Sequence, residues 1–262
     1  MEFERRILDH GYLRLVEHWG SDERIVEAAR MSTGKGFLGW EAGPCPVCEG
    51  RADVPCIACE GKGTIPGDKK LLRRLHKKRH TTPFEMAGVV IEVAAPIMVF
   101  REYHRHRTWS YNEMSARYTP LPDTNYVPTA ERLLITGWTG NKQAGTIKGA
   151  DALTPEIAEE YQKRLREQYA SQQEFYRWAL ERGVPKELAR MHVGVGRYSR
   201  MRAQAVLLNV LKFLTLRMAP EAQFEIRVYA NALGELVSIL FPKTWELFWE
   251  GFQRQMKEDS ES

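Results

Sequence analysis

The chain has 262 residues, of which 43% are hydrophobic and 27% are charged, and its formal net charge is +4. This composition is ordinary for a globular protein, and no apolar run approaches the ~20 residues of a membrane span. Residues 1–5 do not form a signal peptide, so the sequence predicts a cytoplasmic protein without a membrane partner. The mild positive charge suits small anionic substrates, and by itself it does not indicate nucleic acid.

The N-terminal segment predicts a short strand followed by a helix. Residues 12–16 are expected to form the strand, and Ser21 and Asp22 precede the helix as caps. The apolar residues that follow these caps repeat at helical spacing.

All four cysteines lie within residues 33–68, a segment rich in Gly and Pro. They form two Cys-x-x-Cys pairs, Cys45 with Cys48 and Cys56 with Cys59. In a cytosolic protein this spacing favours structural zinc over disulfides, because four thiolates can surround a tetrahedral metal. Residues 56–63 also resemble the zinc-binding repeat of Hsp40 chaperones. A reduced loop without metal and a redox pair remain as alternatives.

Three further elements follow the cysteine-rich segment. Residues 68–76 predict a basic amphipathic helix capped by Asp68, whose charges form either a solvated face or a landing surface for anionic cofactors. Residues 88–94 are β-branched and predict a strand, and Pro96 then opens a helix.

The stretch 105–118 is the most informative part of the chain. It holds three arginines, a histidine, a glutamate, an asparagine and two serines, directly after an apolar run. Arginines clamp phosphates and stack on flat rings, while Glu, Asn and Ser supply the donors and acceptors that a pyrimidine edge requires. The stretch therefore predicts a pocket for a phosphorylated, planar ligand.

The C-terminal part predicts long helices. Residues 120–152 are expected to be irregular, and Thr154 and Pro155 then begin a helix that Gly183 ends. The apolar face of that helix would comprise Ile157, Tyr161, Leu165, Tyr169, Tyr176 and Leu180. Further helices are expected at 199–217, 221–241 and 245–256. Together with the predicted strands, these helices give an α+β fold with one small mixed sheet and a large helical part.

Five ordered motifs resemble the flavin-dependent thymidylate synthases. Arg105-His106-Arg107, seven further residues and then Ser115 resemble the signature of that family. The other four segments are 27–32, 80–85, 186–190 and 213–217. The resemblance implies one flavin-dependent thymidylate synthase-like domain over residues 1–262, with 33–68 as a zinc-knuckle-like loop insertion that carries the four cysteines.

The resemblance also implies a reaction, the reductive C5-methylation of dUMP to dTMP. Methylenetetrahydrofolate would donate the carbon and reduced FAD the hydride, and NADPH would reduce the flavin. The family further implies a homotetramer whose active sites are shared between subunits. Since every cysteine lies in the paired motifs, the reaction would proceed without a Cys nucleophile.

The family motifs assign residues to the ligands. The nucleotide-binding set is Glu102, Arg105, Glu113, Ser115, Ala116, Arg117, Arg190 and Arg217. The flavin-binding set is Ser32, His80, Thr82, Glu85, Arg105, His106, Arg107 and Lys212. Arg190 and Arg217 would polarise the pyrimidine carbonyls, and Ser115 would act as a positioning hydroxyl rather than a nucleophile. These three residues are the catalytic candidates, whereas Glu102 stands where the family often has Gln.

The sequence departs from the family just ahead of residues 213–217, where an Asn-x-Arg pair is usual. Val206 and Leu208 stand there, Lys212 replaces a further Asn, and Glu221 replaces a His. An apolar pair cannot donate hydrogen bonds, so FAD is expected to bind more loosely than is usual in the family. The departures favour, as an alternative, a UMP C5-methylase of nucleoside-antibiotic biosynthesis acting on UMP, dUMP or both. They concern the cofactor and leave the preference for the sugar open.

A function of another class also remains open. A zinc-knuckle nucleic-acid-binding protein would use the basic helix and the His-Arg-His-Arg run at 104–107. Such a protein would co-purify with nucleic acid and would lack the yellow colour of an oxidised flavin.

Overall fold

The structure, a computed structural model, describes residues 2–134 and 153–261. The chain divides into two compact units, each made of separate stretches of sequence. Unit 1 comprises Met1–Leu15, Ile91–Ala203 and Leu216–Ala232, and unit 2 comprises Val16–Val90, Gln204–Thr215 and Leu233–Ser262. The expectation of one domain with an insertion at 33–68 stays a prediction.

Strands and helices follow one another along the chain. The strands are β1 Glu4–Ile7, β2 Gly11–Trp19, β3 Gly43–Pro44, β4 Thr64–Ile65, β5 Gly88–Pro96, β6 Ser110–Glu113 and β7 Tyr198–Val206. The helices are α1 Asp22–Arg30, α2 Asp68–Lys77, α3 Ile97–Tyr103, α4 Ala130–Leu134, α5 Pro155–Glu181, α6 Lys186–Ala189, α7 Leu207–Arg217, α8 Phe224–Leu240 and α9 Pro242–Glu261. Short 3-10 turns cover Met31–Thr33 and Thr82–Glu85. Within the described ranges, no helix is both long enough and apolar enough to cross a bilayer.

Five of the strands form one sheet in the order β1-β2-β5-β7-β6, while β3 and β4 form a separate two-stranded ribbon. β1 and β2 pair antiparallel, with Glu4 opposite Arg14 and Ile7 opposite Gly11. A small sheet combined with many helices confirms the predicted α+β class.

The core of unit 1 contains a close approach that only glycine permits. Tyr229 of α8 is fully buried, and its hydroxyl donates to Ala94 O of β5 at 2.7 Å. A Cβ placed on Gly11 would lie 2.0 Å from the Tyr229 hydroxyl oxygen. A side chain at position 11 would therefore push Tyr229 away from its buried acceptor.

At the start of α1 the predicted cap at Ser21 is confirmed, whereas Asp22 has a different role. Ser21 Oγ accepts the Arg24 amide N–H at 3.3 Å, as a cap should. Asp22 is buried, and its carboxylate accepts the amides of Lys243 and Thr244 at 2.7 and 3.0 Å. These amides lie in the first turn of α9, so Asp22 joins the ends of two helices within unit 2.

The predicted helix at 199–217 is wrong in its first half. Tyr198–Val206 form β7, and α7 begins only at Leu207. Burial alternates along β7, where Met201, Ala203 and Ala205 are buried and the residues between them are exposed. Ala, Met, Arg and Gln favour helices, but pairing with β5 and β6 overrides that local preference.

The predicted cap at Asp68 is also wrong. The residue before α2 is Gly67, and no side chain caps the helix. The Asp68 carboxylate is instead buried against the Arg30 guanidinium and the Leu38 amide. A carboxylate engaged by these partners is not available to the amides of its own helix.

The long helix α5 agrees with the prediction at its ends and differs along its length. Thr154 Oγ1 accepts the Ile157 amide N–H at 3.3 Å, which confirms the predicted start. The predicted apolar face is wrong near that start, because Ile157 is 53% exposed while the helix buries Ala158, Tyr176 and Ala179. Between 120 and 152, predicted as irregular, Ala130–Leu134 form α4, and residues 135–152 lie outside the described part of the chain.

Candidate functional site

A turn after α3 carries the first residues of the arginine-rich motif in unit 1. The amides of His104, Arg105 and His106 donate back to carbonyls at the end of α3. The Tyr111 hydroxyl of β6 lies 2.6 Å from Tyr103 O and 3.1 Å from His106 O. Tyr111 therefore fixes the turn, although no sequence argument had assigned it a role.

Arg217, the last residue of α7, contacts two residues of this region. Its Nη1 donates to Glu102 Oε2 at 2.6 Å, and its Nε donates to His106 Nε2 at 3.0 Å. The Arg217 side chain is only 17% exposed. We call these three residues the Arg217 cluster. It joins two predicted nucleotide-binding residues to one predicted flavin-binding residue.

His106 is neutral within the Arg217 cluster. Because an Arg Nε–H is a donor, His106 Nε2 must offer a lone pair, which leaves the ring proton on Nδ1. Burial, followed by the nearby Arg217 charge, lowers the pKa of His106 to about 4. His106 therefore acts as an acceptor for Arg217 at neutral pH.

The loop after β6 contains Ser115, Ala116 and Arg117 of the predicted nucleotide-binding set. Ser115 Oγ accepts the Arg117 amide N–H at 3.3 Å. Ala116 is buried in an apolar cluster that also includes Ala189 of α6. The Arg117 side chain is 59% exposed and pairs with Glu187 of α6 at 3.0 Å. The loop and α6 are thus in direct contact.

The helix α6 also leads into a second predicted nucleotide ligand. Arg190 directly follows α6 and is half-buried. Since Glu187 of the same short helix contacts Arg117, the structure brings the Arg117 and Arg190 segments together. Glu113, the last residue of β6, is half-buried at the start of the loop.

Arg105 and Arg107 differ from Arg117, the third arginine of the motif, which pairs with Glu187. Both side chains are exposed, and neither forms an ion pair with a residue in 2–134 or 153–261. Exposed guanidinium groups of this kind are available for an anionic ligand.

The remaining predicted flavin residues lie in unit 2, and all of their side chains are exposed. These residues are Ser32, His80, Thr82, Glu85 and Lys212. Ser32 lies in the 3-10 turn that continues α1, and α1 packs against the 3-10 turn Thr82–Glu85. His80 follows α2, where its amide donates to Leu75 O at 2.9 Å. Unit 2 thus brings the Ser32 and Thr82 segments near each other.

The four cysteines gather into one cluster in unit 2. Their Sγ atoms all lie within 4.8 Å of one another, with 3.8 Å between Cys45 and Cys56 and 3.6 Å between Cys48 and Cys59. These separations are far longer than a disulfide bond, so the cysteines are free thiols. The ribbon of β3 and β4 supports the cluster, since the Cys45 amide donates to Gly63 O at 2.8 Å.

Unit 1 also contains a cavity of about 360 Å³ that no motif predicted. Its lining includes His10, Tyr12, Tyr198 and Arg200. These residues come from separate parts of the sequence that the strands bring together, so a search for local motifs could not find the cavity.

Comparison with known proteins assigns the family. The family model described as thymidylate synthase complementing protein matches residues 14–243. A flavin-dependent thymidylate synthase from Thermus thermophilus is 38% identical over 244 residues, which cover 93% of this chain and 77% of the relative. One from Rickettsia bellii is 33% identical over 257 residues, with coverages of 94% and 78%.

Solved structures support the same assignment. A UMP/dUMP methylase from Streptomyces cacaoi bound with 5-Br dUMP has a TM-score of 0.72 at 28% identity, covering 94% of this chain and 97% of its own. The same methylase bound with 5-Br UMP gives a TM-score of 0.71 at 27% identity, with coverages of 94% and 96%. The chain therefore belongs to the thymidylate synthase complementing protein family of flavin-dependent enzymes, and the resemblance inferred from the five motifs is confirmed.

Proposed function

We propose that this enzyme methylates C5 of a uracil nucleotide monophosphate and converts dUMP to dTMP. Methylenetetrahydrofolate is the carbon donor, and NADPH reduces the bound FAD. The observation that carries the proposal is the contact between the loop at 115–117 and α6. This contact brings Arg117 and Arg190 near the Ser115-Ala116 backbone. These groups suit the binding of a nucleotide, and the chain belongs to a family of flavin-dependent thymidylate synthases.

The nucleotide phosphate binds at that loop. Arg117 supplies an exposed guanidinium, and Ser115 and Ala116 supply a hydroxyl and an amide. Glu187 holds the Arg117 side chain by an exposed ion pair, which is weak enough to be exchanged for a phosphate. Ser115 Oγ accepts an amide N–H and forms no hydrogen bond to a His or carboxylate among the described residues, which supports a positioning hydroxyl.

Arg190 and Arg217 polarise the pyrimidine carbonyls. A guanidinium has five N–H donors, and Glu102 and His106 engage only some of those on Arg217. The remaining donors can serve a carbonyl oxygen on which negative charge develops when C5 attacks the one-carbon unit. Glu102 and His106 keep the guanidinium oriented before the substrate arrives.

The residues assigned to FAD fit such a group. Arg105 and Arg107 offer exposed guanidinium groups suited to the cofactor diphosphate, and Ser32 and Thr82 offer exposed hydroxyls. His80, Glu85, His106 and Lys212 complete the proposed set. When bound, FAD supplies the hydride that reduces the methylene adduct to a methyl group. No Cys nucleophile takes part, because all four thiols lie in the cysteine cluster.

We expect FAD to be held more loosely than is usual in the family. Val206 is the last residue of β7 and Leu208 lies in the first turn of α7, and both are half-buried. Apolar side chains cannot replace the hydrogen bonds of an amide and a guanidinium. The double change Val206→Asn with Leu208→Arg should tighten FAD binding, and unchanged binding would refute this alignment.

The cysteine cluster fits a structural Zn²⁺. Zinc–sulfur bonds of about 2.3 Å in a tetrahedron place neighbouring sulfurs about 3.8 Å apart. The observed separations of 3.6 and 3.8 Å agree with that edge length. Four thiolates leave no open position on the metal, so the proposed role of the zinc is structural.

A homotetramer is proposed on the family resemblance alone. Arg117 and Arg190 are far apart in the sequence, but this separation does not support active sites shared between subunits. The reason is that α6 and the Arg117 loop already meet within one chain. Mixing Arg117→Ala with Arg190→Ala subunits tests sharing. Activity regained after subunit exchange would support it, and its absence would exclude sharing between these two groups.

A UMP C5-methylase of nucleoside-antibiotic biosynthesis is a second candidate function. It is favoured by the similar Streptomyces cacaoi methylase, which has been solved with either 5-Br UMP or 5-Br dUMP. Tritium release from 5-labelled dUMP and UMP, with methylenetetrahydrofolate, FAD and NADPH, separates the two functions. We expect release from dUMP to exceed release from UMP. Preference for UMP would establish the second candidate. No release from either nucleotide would refute both, and co-purified nucleic acid without flavin absorbance would then favour the nucleic-acid-binding alternative.

A further inference from the structure

The segment that carries Ser32, residues 30–38, is held at both ends and at Lys35, and we call it the Ser32 segment. Met31 is 78% exposed, and Gly34 and Gly36 both have φ of 64° with nothing close to the position of a Cβ. Ser32 Oγ has a contact of 3.4 Å with Ala29 O inside its own turn. Few packing contacts therefore fix the position of Ser32, and the contacts of Arg30, Lys35 and Leu38 decide it.

Asp68 provides one anchor by holding both sides of this segment. Arg30 donates to Asp68 Oδ1 through Nε at 2.9 Å and also through Nη2. The Leu38 amide donates to Asp68 Oδ2 at 2.7 Å. Asp68 is completely buried, so it is shielded from competing water. One carboxylate thus binds the residue two positions before Ser32 and a residue six positions after it.

Lys35 provides the second anchor, and its partner, Glu60, directly follows a member of the cysteine cluster. Lys35 Nζ pairs with Glu60 Oε1 at 2.7 Å, and the Lys35 side chain is only 16% exposed. Glu60 directly follows Cys59 and has a φ of 56°, while the Lys62 amide donates to Cys59 O at 3.1 Å. The position of Glu60 is therefore set by the turn that presents Cys59 to the other three sulfurs.

We infer that Lys35 and Asp68 are positioning residues that couple metal binding at the four cysteines to flavin binding at Ser32. The inference rests on the proposed function, in which Ser32 contacts FAD and the cysteines hold zinc. A bound metal fixes the Cys59–Glu60 turn, the turn holds Lys35, and Lys35 with Asp68 restrains the Ser32 segment. Without metal the turn loses its shape, and FAD binding must then order the segment itself.

Linkage makes the coupling reciprocal, which gives two independent measurements. If zinc raises the affinity for FAD by some factor, FAD must raise the affinity for zinc by the same factor. FAD affinity is measured from the quenching of flavin fluorescence, with zinc-loaded and zinc-depleted protein. Zinc affinity is measured by competition with a chromophoric chelator, with and without FAD. Neither measurement requires turnover.

The discriminating variant is Lys35→Ala, with Lys62→Ala as its matched control. Lys62 also pairs with Glu60, at 3.4 Å, but it is exposed and does not belong to the Ser32 segment. In the natural protein we expect zinc to tighten FAD binding by at least about fivefold. Lys35→Ala should lose most of this factor and still bind zinc, whereas Lys62→Ala should retain it. If zinc changes the FAD affinity of Lys35→Ala and of Lys62→Ala by the same factor, the role of Lys35 is overturned.

Asp68→Asn gives a further readout, since Asn keeps one acceptor oxygen and loses the charge that Arg30 requires. If this variant folds, it should lose part of the coupling with its zinc content intact. If it does not fold, the lysine pair still decides the question. FAD binding with the same affinity in the presence and absence of zinc would refute the inference alone. Absence of FAD binding under every condition would instead refute the proposed flavin function.

Discussion

The Arg217 cluster in unit 1 and the Ser32 segment in unit 2 carry predicted ligand residues in two different ways. Arg217 is little exposed and is oriented by hydrogen bonds to Glu102 and His106. Ser32 is exposed on a glycine-containing segment that Asp68 restrains at both ends and Lys35 restrains between Gly34 and Gly36. Neighbouring side chains alone orient the Arg217 guanidinium, whereas the exposed Ser32 segment depends on restraints from outside it, namely Asp68 and Glu60, the residue after Cys59.

Removal of the metal should produce the largest effect. This effect should be confined to the cysteine cluster and the Ser32 segment of unit 2 and should not reach the Arg217 cluster. We expect about one zinc per chain, and we expect chelation or Cys59→Ser to destabilise the cysteine-rich segment 33–68, because metal-binding energy contributes directly to its folding. Elemental analysis and limited proteolysis between residues 33 and 68 measure both effects. Well under half a zinc per chain in protein purified without chelator would contradict the prediction.

Loss of an arginine that we propose as a nucleotide ligand should have the next largest effect, on nucleotide binding rather than on folding. Arg117→Ala and Arg190→Ala should each weaken nucleotide binding by about 2–4 kcal/mol, because each leaves an anion or a polarised carbonyl without its charged partner. Arg117 forms an exposed ion pair and lies 5.9 Å from the centre of the exposed Tyr118 ring, so its removal should change the free energy of unfolding by less than about 1 kcal/mol. Calorimetric titration and denaturant unfolding separate the two quantities. A large loss of unfolding free energy in Arg117→Ala would show that the Arg117–Glu187 ion pair also stabilises the fold.

A change at Glu102 should affect stability where Arg117→Ala does not. Glu102→Ala leaves the little-exposed Arg217 without its charged acceptor and should cost about 1–3 kcal/mol of unfolding free energy. Glu102→Gln keeps an acceptor oxygen and should cost less than about 1 kcal/mol. Denaturant unfolding of the two variants provides the measurement. Equal losses would mean that packing, and not the acceptor, gives Glu102 its role.

A pH dependence that arises from His106 should be visible only below about pH 6.5. Its pKa is about 4 in the folded protein and about 6.5 when unfolded. Between these pH values the unfolded state binds a proton that the folded state does not. The contribution of His106 to the free energy of unfolding is therefore complete above about pH 6.5 and decreases as the pH falls towards 4. His106→Gln keeps an acceptor for Arg217 and should flatten this part of the profile. Parallel urea-midpoint profiles for the natural protein and the variant would contradict the assignment.

The sequence predicted the elements whose signals are local. The caps at Ser21 and Thr154 are confirmed because each cap involves an amide only three residues away. The gathering of the cysteines follows in the same way from two short pairs and the tight turns between them. The five family motifs were also readable, because each is a short run of neighbouring residues.

Tertiary structure alone decided what depends on distant partners. β7 contains six good helix formers among its nine residues, and its place in the sheet makes it a strand. The contacts of Arg217 with Glu102 and of Arg117 with Glu187 join residues 115 and 70 positions apart. The sequence by itself therefore determined the residue types, the cysteine spacing and the local caps. Only the folded chain could decide that Arg217 is little exposed, that Arg117 is exposed and that Glu60 contacts Lys35. These contacts form only after long loops close and bring distant side chains together.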